Sequence, residues 1–462
     1  MLDPSVAKRA NGTSRPAPHG PNPPAESGPA GGPLAFTFGT WFTWTSVGIA
    51  FPALGLALVA AAVSLAQGAY ESRPAFVATH LATLAWGTMT ILGAAAQMAP
   101  VLLGVRIRGE RTIPWLFLAF AASTVTVLAG LAAGRYGLAA LGGAGVNLAA
   151  WWFVAVLGAT AVSAGPKRAV LSPHIPAALG CFVLVALWGT LLAANLRWVF
   201  WPGILVAHRG LVVHLTLGLG GWFGLMVIGV FYRLVPLVHG ARVANARRGA
   251  AILMLAVAAI ASVLAGVAAP AAWLLRAAAF LAAGALVLFV AEIVHVVARR
   301  RSPAPDLNVA HWYAVAAYSL ALAAIAAGWG AGLLQTDPPD RLGEVAATLF
   351  LLGWVTQAII GQIYKITPFL MWYYRATIPD MLAIPRQPAP YNPRPGRVVL
   401  WLSNLGVVGL AYGIWTGALA PAQGGAVLFA AGAFILAYML AYRWVPPALT
   451  GVLTFEWRWR IS

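Results

Sequence analysis

The chain has 462 residues, of which 61% are hydrophobic and 9% charged, with a formal net charge of +18. Apolar runs long enough to cross a bilayer recur along its whole length, which excludes a soluble domain and identifies an all-α polytopic membrane protein. The basic residues sit in alternate loops instead of one patch, so the charge reports topology and excludes nucleic acid as a partner.

Residues 1–34 are rich in Pro, Gly, Ser and Ala and have no apolar core. They read as a disordered cytoplasmic tail, not a cleavable signal, and His19 within them carries no site. Residues 35–462 form one membrane domain. Twelve spans are expected near 44–66, 76–104, 113–133, 138–163, 174–195, 206–236, 248–268, 271–297, 310–333, 345–372, 398–417 and 423–443. The single cysteine, Cys181, lies inside the fifth span, which excludes an intrachain disulfide and makes it a small core residue.

Arg106, Arg108 and Arg111 follow span 2, Lys167 and Arg168 follow span 4, and Arg242, Arg247 and Arg248 follow span 6. Arg299, Arg300 and Arg301 follow span 8, and Arg386, Arg394 and Arg397 follow span 10. The opposite loops carry Arg73, Arg135, Arg197 and Arg341 with the acids Glu71, Asp337, Asp340 and Glu344. The positive-inside rule therefore predicts both termini in the cytoplasm of a cell inner (plasma) membrane protein.

Three spans share a skeleton. Trp86, Gly93 and Pro100 are seven apart, as are Trp222, Gly229 and Pro236, and again Trp354, Gly361 and Pro368. Every seventh residue of an α-helix returns to nearly one face, so each copy presents an aromatic, a small residue and a proline in a ridge. The copies fall on spans 2, 6 and 10. Twelve helices then divide into three four-helix units around a pseudo-threefold axis along the membrane normal. The prolines are expected to end their helices at the cytoplasmic side.

Ionisable groups inside a bilayer are costly and mark candidate sites. His80, His208 and His214 lie in the outer half, on spans 2 and 6, whereas His174, His239, His295 and His311 lie toward the cytoplasmic ends. His80 precedes its repeat tryptophan by six residues and His214 precedes its own by eight. Neutral imidazole ligates iron, copper or zinc, and the bland alternative for each is a histidine hydrogen-bonded to a neighbour. His208 and His214 are six apart and do not share a helical face. Glu292 and His295 are three apart on one face, the spacing of a carboxylate-bridged metal site, with a local ion pair as the simpler reading. Arg233, Lys365 and Arg276 can snorkel to the interface. Thr88, Thr90, Gln357 and Gln362 either line a polar channel or join helices by hydrogen bonds. The small-residue face ALGGAGVNLAA of span 4 packs within the bundle or against a second copy, leaving a homo-oligomer open.

These residues carry a resemblance. Twelve spans in three units of four, with His80 in RPAFVATHLATLAWG on span 2 and the stretch from His214 to Pro236 on span 6, resemble subunit I of heme–copper oxidases. The similarity is to the branch holding the C-type cytochrome oxidases and nitric oxide reductases. It implies that His214 ligates a non-heme metal and that His80 ligates a heme. The chain departs from that family where a His-x-His pair is expected on span 10, because Ala346 and Thr348 stand there. Span 7, GAAILMLAVAAIASVLAG, has no adjacent histidines, and the loop ALAPAQGG has no arginines for heme propionates. A complete proton-pumping oxidase is therefore excluded.

The resemblance implies a membrane metalloprotein with a reduced site, built from His214 with His80 or His208, that acts on or binds a small gaseous diatomic. Nitric oxide ranks ahead of dioxygen. The cofactor is a transition metal, zinc or copper, and/or a single heme, and the activity would be oxidoreductase-like. The alternatives are a non-catalytic heme or metal carrier, a respiratory-complex assembly factor, and a transporter.

Overall fold

The computed structural model describes residues 41–165, 172–205, 208–241, 245–301, 306–335, 341–375 and 393–443. The tail expected over residues 1–34 lies outside the described residues, as do Lys167, Arg168, Arg242, Asp337, Asp340 and Arg386.

Among the described residues twelve helices are long and apolar enough to cross a membrane. They are α1 (Trp41–Ala66), α2 (Arg73–Leu103), α3 (Glu110–Ala133), α4 (Tyr136–Ala164), α5 (His174–Trp198) and α6 (Arg209–His239). The second half comprises α7 (Ala246–Ala268), α8 (Ala272–Ala298), α9 (Leu307–Gly330), α10 (Arg341–Thr367), α11 (Pro393–Thr416) and α12 (Leu419–Leu440). The protein is thus an all-α polytopic membrane protein. Local chemistry sets several ends. The Asn245 side chain accepts from the Arg248 N–H at 3.2 Å to start α7, and Asp306 accepts from the Asn308 N–H at 2.8 Å to start α9. Gly104 and Gly240 follow α2 and α6 with φ of 66° and 56°, the left-handed turn that glycine adopts without strain.

Helices α3, α4 and α5 pack consecutively, as do α7, α8 and α9, and α11, α12 and α1, the last arc closing when α12 meets α1. The repeat helices α2, α6 and α10 fill the gaps between these arcs and touch one another inside. Trp86, Trp222 and Trp354 are all fully buried there. Their indole N–H groups trace the symmetry. Trp222 donates to Thr88 Oγ1 at 3.0 Å and Trp86 donates to Thr356 Oγ1 at 3.2 Å. Each acceptor lies two residues after the next copy's tryptophan. The third acceptor would be Gly224, which has no hydroxyl, and Trp354 donates instead to Ser319 Oγ of α9 at 2.8 Å. Phe51 and Phe182 stack on Trp86 and Trp222 with ring centres 4.0 and 4.3 Å apart. Ser319 takes the place of that phenylalanine in the third unit, so one substitution supplies the acceptor that another removed.

Each repeat helix contains a wide, π-helical stretch ahead of or around its tryptophan, at Leu81–Thr88, Thr216–Gly224 and Leu349–Val355. Such turns leave some carbonyls poorly bonded. In α10 the Thr356 hydroxyl repairs one, donating to the Leu351 carbonyl at 2.8 Å. The repeat prolines do not end their helices: α-helix continues to Leu103 beyond Pro100 and to His239 beyond Pro236. The ring costs one backbone bond within an already buried turn, and the helix ends at the following glycine instead. The small face of α4 packs inside the bundle, with Gly142 against α3 at Val127 and Gly143 against α5 at Thr190.

Candidate functional site

His80 and His214 meet. Their rings are 6.4 Å apart between centres, with planes inclined by 24°. Both lie at the end of the bundle remote from the repeat prolines, where the wide turns begin one residue after His80 and two after His214. That wide geometry lets histidines at unequal offsets from their tryptophans reach one place.

Each ring is oriented by its surroundings. His80 Nδ1 lies 2.8 Å from the Phe76 carbonyl, an acceptor only, so Nδ1 carries the proton and Nε2 of the neutral ring is a bare lone pair. His214 Nδ1 is buried and has no hydrogen-bond partner among the described residues. Its ring lies over Gly189 of α5, where an added Cβ would stand 2.7 Å from Cε1. Any side chain at 189 would therefore push the imidazole aside. The preceding Trp188 donates to the Gly210 carbonyl at 2.8 Å, fixing α5 against the first turn of α6.

The pair brings two imidazole donors from separate helices together. Two imidazoles on one ion, each with a metal–nitrogen bond of about 2 Å, set their ring centres roughly 5–6 Å apart according to the angle at the metal, so the observed 6.4 Å calls for a wide, near-linear angle. The ligand set is small, because no group of three or more His, Cys, Asp or Glu converges among the described residues. A two-imidazole site leaves coordination positions open to water or a small ligand.

His208 does not join the pair. It adopts the left-handed conformation, φ 54°, just before α6, and its Nδ1 faces Glu71 Oε1 at 3.2 Å. A three-histidine site from His80, His208 and His214 is therefore not assembled: the six-residue separation and the turn at 208 place that ring ahead of α6 beside Glu71, half exposed.

The histidines at the proline end belong to packing. His174 stacks on Tyr232 with planes 9° apart, and His311 stacks on Tyr364 with planes 23° apart. A Cβ on Gly229 would stand 3.1 Å from His174 Cβ, and one on Gly361 would stand 2.8 Å from His311 Cβ. The two arrangements are copies of each other. His311 Nδ1 also donates to Gln357 Oε1 at 2.6 Å, and Gln357 Nε2 donates to Ser403 Oγ at 3.0 Å, so Gln357 joins helices α9, α10 and α11.

Glu292 and His295 do not share a ligand. Glu292 is fully buried and accepts from Arg248 Nη1 at 2.7 Å and from the Asn245 N–H at 2.8 Å, while His295 faces Arg299. Lys365 binds Asp306 at 2.8 Å instead of reaching out alone. His239 Nε2 donates to Asn308 Oδ1 at 2.7 Å, and Asn308 Nδ2 donates to the Gly361 carbonyl at 2.7 Å, tying α6 to α9 and α10. Burial alone would push the Asp306 carboxyl up, but the Lys365 hydrogen bond and charge, with the Asn308 N–H and His239, hold it below its ordinary value. Cys181 packs in the core, where a Cβ on Gly221 would stand 2.7 Å from its Sγ.

Gly189 and Glu71 are the site residues that sequence reasoning passes over. Glycine is too common in this chain to single out Gly189, and Glu71 reads as an ordinary loop acid beside Arg73. The chain matches no protein-family model and no curated protein.

Proposed function

We propose that this chain is a metalloprotein of heme–copper oxidase type with a reduced site, in which His80 and His214 hold one transition-metal ion in the outer half of a plasma membrane. The observation that carries this reading is the approach of two imidazoles from separate repeat helices to 6.4 Å, with the His80 lone pair fixed by Phe76. Copper or zinc suits two imidazoles. When bound, such an ion polarises a small ligand at its open position. The chain's own residues do the rest. Phe76 sets the His80 tautomer, Gly189 leaves room for the His214 ring, and the apolar faces of α2 and α6 limit water. The ligand proposed is a small diatomic arriving through lipid, nitric oxide ahead of dioxygen.

The test is metal analysis with an optical spectrum on the purified chain, followed by nitric oxide consumption. About one equivalent of copper or zinc, lost in His214→Ala, supports the site. A Soret band would transfer His80 to a heme-carrying role. Metal bound without nitric oxide consumption would favour a carrier or assembly role. Protein free of both metal and heme after gentle purification would sink the proposal.

A further inference from the structure

Just ahead of α2 and α6, the helices that carry His80 and His214, lies a second pair of donors. Glu71 lies two residues before α2 and His208 one residue before α6, so the same two helices that present the inner histidines present this pair further out. His208 Nδ1 and Glu71 Oε1 are 3.2 Å apart, and the two side chains are 48% and 56% exposed. Tyr70 meets the His208 ring edge-on at 6.1 Å and limits its swing. His208 is one of two non-glycine residues with positive φ among those described, a conformation that persists only where surrounding contacts hold it.

We propose that Glu71 and His208 form a surface site for a divalent transition-metal ion, with zinc as the reference ligand. Two donors on one tetrahedral ion, at bonds of about 2.0–2.2 Å, stand roughly 3.3 Å apart, which matches the observed separation. An imidazole and a carboxylate are both zinc donors, and exposure lets an ion arrive hydrated and keep its remaining waters. A two-donor site holds an ion loosely enough to release it. Lying just ahead of the two helices that carry the inner pair, it serves as a loading point for that pair. The loading role rests on the proposed function; ion binding by Glu71 and His208 does not.

The test uses the full chain in detergent micelles with His80 and His214 both replaced by alanine, so that only the outer pair reports. Zinc alone is titrated against a chromophoric chelator. One equivalent is expected, with affinity falling by on the order of tenfold or more in His208→Ala and again in Glu71→Gln. Both residues are exposed, and an unchanged melting temperature confirms that neither variant unfolds the chain. No zinc bound by the parent, or affinity unchanged by either substitution, overturns the proposal. Zinc retained by a Glu71→Gln/His208→Ala chain with the inner histidines intact reports the inner pair alone, so the two sites fail or stand separately.

Discussion

The unit α5–α8 and the unit α9–α12 are built on one plan; they share a core at the proline end and differ around it and at the opposite end. At the proline end the plan is shared: His174 on Tyr232 in a groove opened by Gly229, His311 on Tyr364 in a groove opened by Gly361. Gly249 and Gly396 lie against the two tyrosine rings in the same way. Around that common core the second unit adds the buried Glu292–Arg248 pair, whereas in the third the tyrosine hydroxyl meets Met439 Sδ at 4.0 Å. At the opposite end His214 of the second unit has Ala346 as its counterpart. A feature repeated by both units belongs to the scaffold. A feature kept by one, such as His214, calls for another reason. The buried histidines 174 and 311, placed by the sequence toward the cytoplasmic ends and apart from the outer group, are packing elements on this criterion.

The largest break in the comparison comes at Glu292. Glu292→Ala leaves Arg248 without its carboxylate and the Asn245 N–H without its acceptor, at an expected cost of about 3–5 kcal/mol in chemical denaturation. Glu292→Met with Arg248→Met imitates the apolar third unit and should recover most of that loss. If the double variant is as unstable as the single one, the two units are not interchangeable there. Next come the grooves. Gly229→Ala and Gly361→Ala each force a Cβ to within 2.8 Å of the facing helix, against Ile175 Cγ1 in one and His311 Cβ in the other. Both should cost about 1–3 kcal/mol, and a large difference between them would break the equivalence.

The tryptophan ring gives a sharper, smaller test. Ser319→Ala strands the buried Trp354 N–H and should cost about 1–3 kcal/mol. Thr88→Val should show coupling to Trp222→Phe, and Thr356→Val to Trp86→Phe, in double-mutant cycles of melting temperature. The smallest effect belongs to Lys365→Met, at under about 1 kcal/mol because the pair with Asp306 is partly exposed. Its signature is in pH dependence. The Asp306 carboxyl is held below its ordinary value, so its stabilisation is present above the ordinary aspartate range and is lost as pH falls through the lowered value. Lys365→Met should flatten that acid-side loss of melting temperature.

Much of the architecture was legible because apolar length and basic loops are strong, local signals. Spans expected at 248–268 and 271–297 appear as Ala246–Ala268 and Ala272–Ala298. The sevenfold spacing of tryptophan, glycine and proline correctly marked the three central helices. What it could not show was the wide turns, since a π-helical stretch leaves no composition signature and shifts every angular argument across it. The pairing of His80 with His214 at unequal offsets depends on those turns. Pro236 and Pro100 read as helix ends because proline removes a donor, yet one more turn follows each. The Glu71–His208 contact depends on the left-handed turn at 208, which no residue type at that position announces. The repeat extends to α5 and α9, pairing His174 with His311 and Phe182 with Ser319, a sequence signal that separates the packing histidines from the rest.

His80 and His214 are proposed to hold an ion jointly, whereas His174 and His311 at the proline end are not. Metal content per chain, measured on the purified protein and on His80→Ala, His214→Ala, His174→Ala and His311→Ala, tests it most directly. About one copper or zinc per chain is expected in the parent and in the His174 and His311 variants, and little in the His80 and His214 variants. Full metal retained in both His80→Ala and His214→Ala, or lost with His174→Ala, would contradict it.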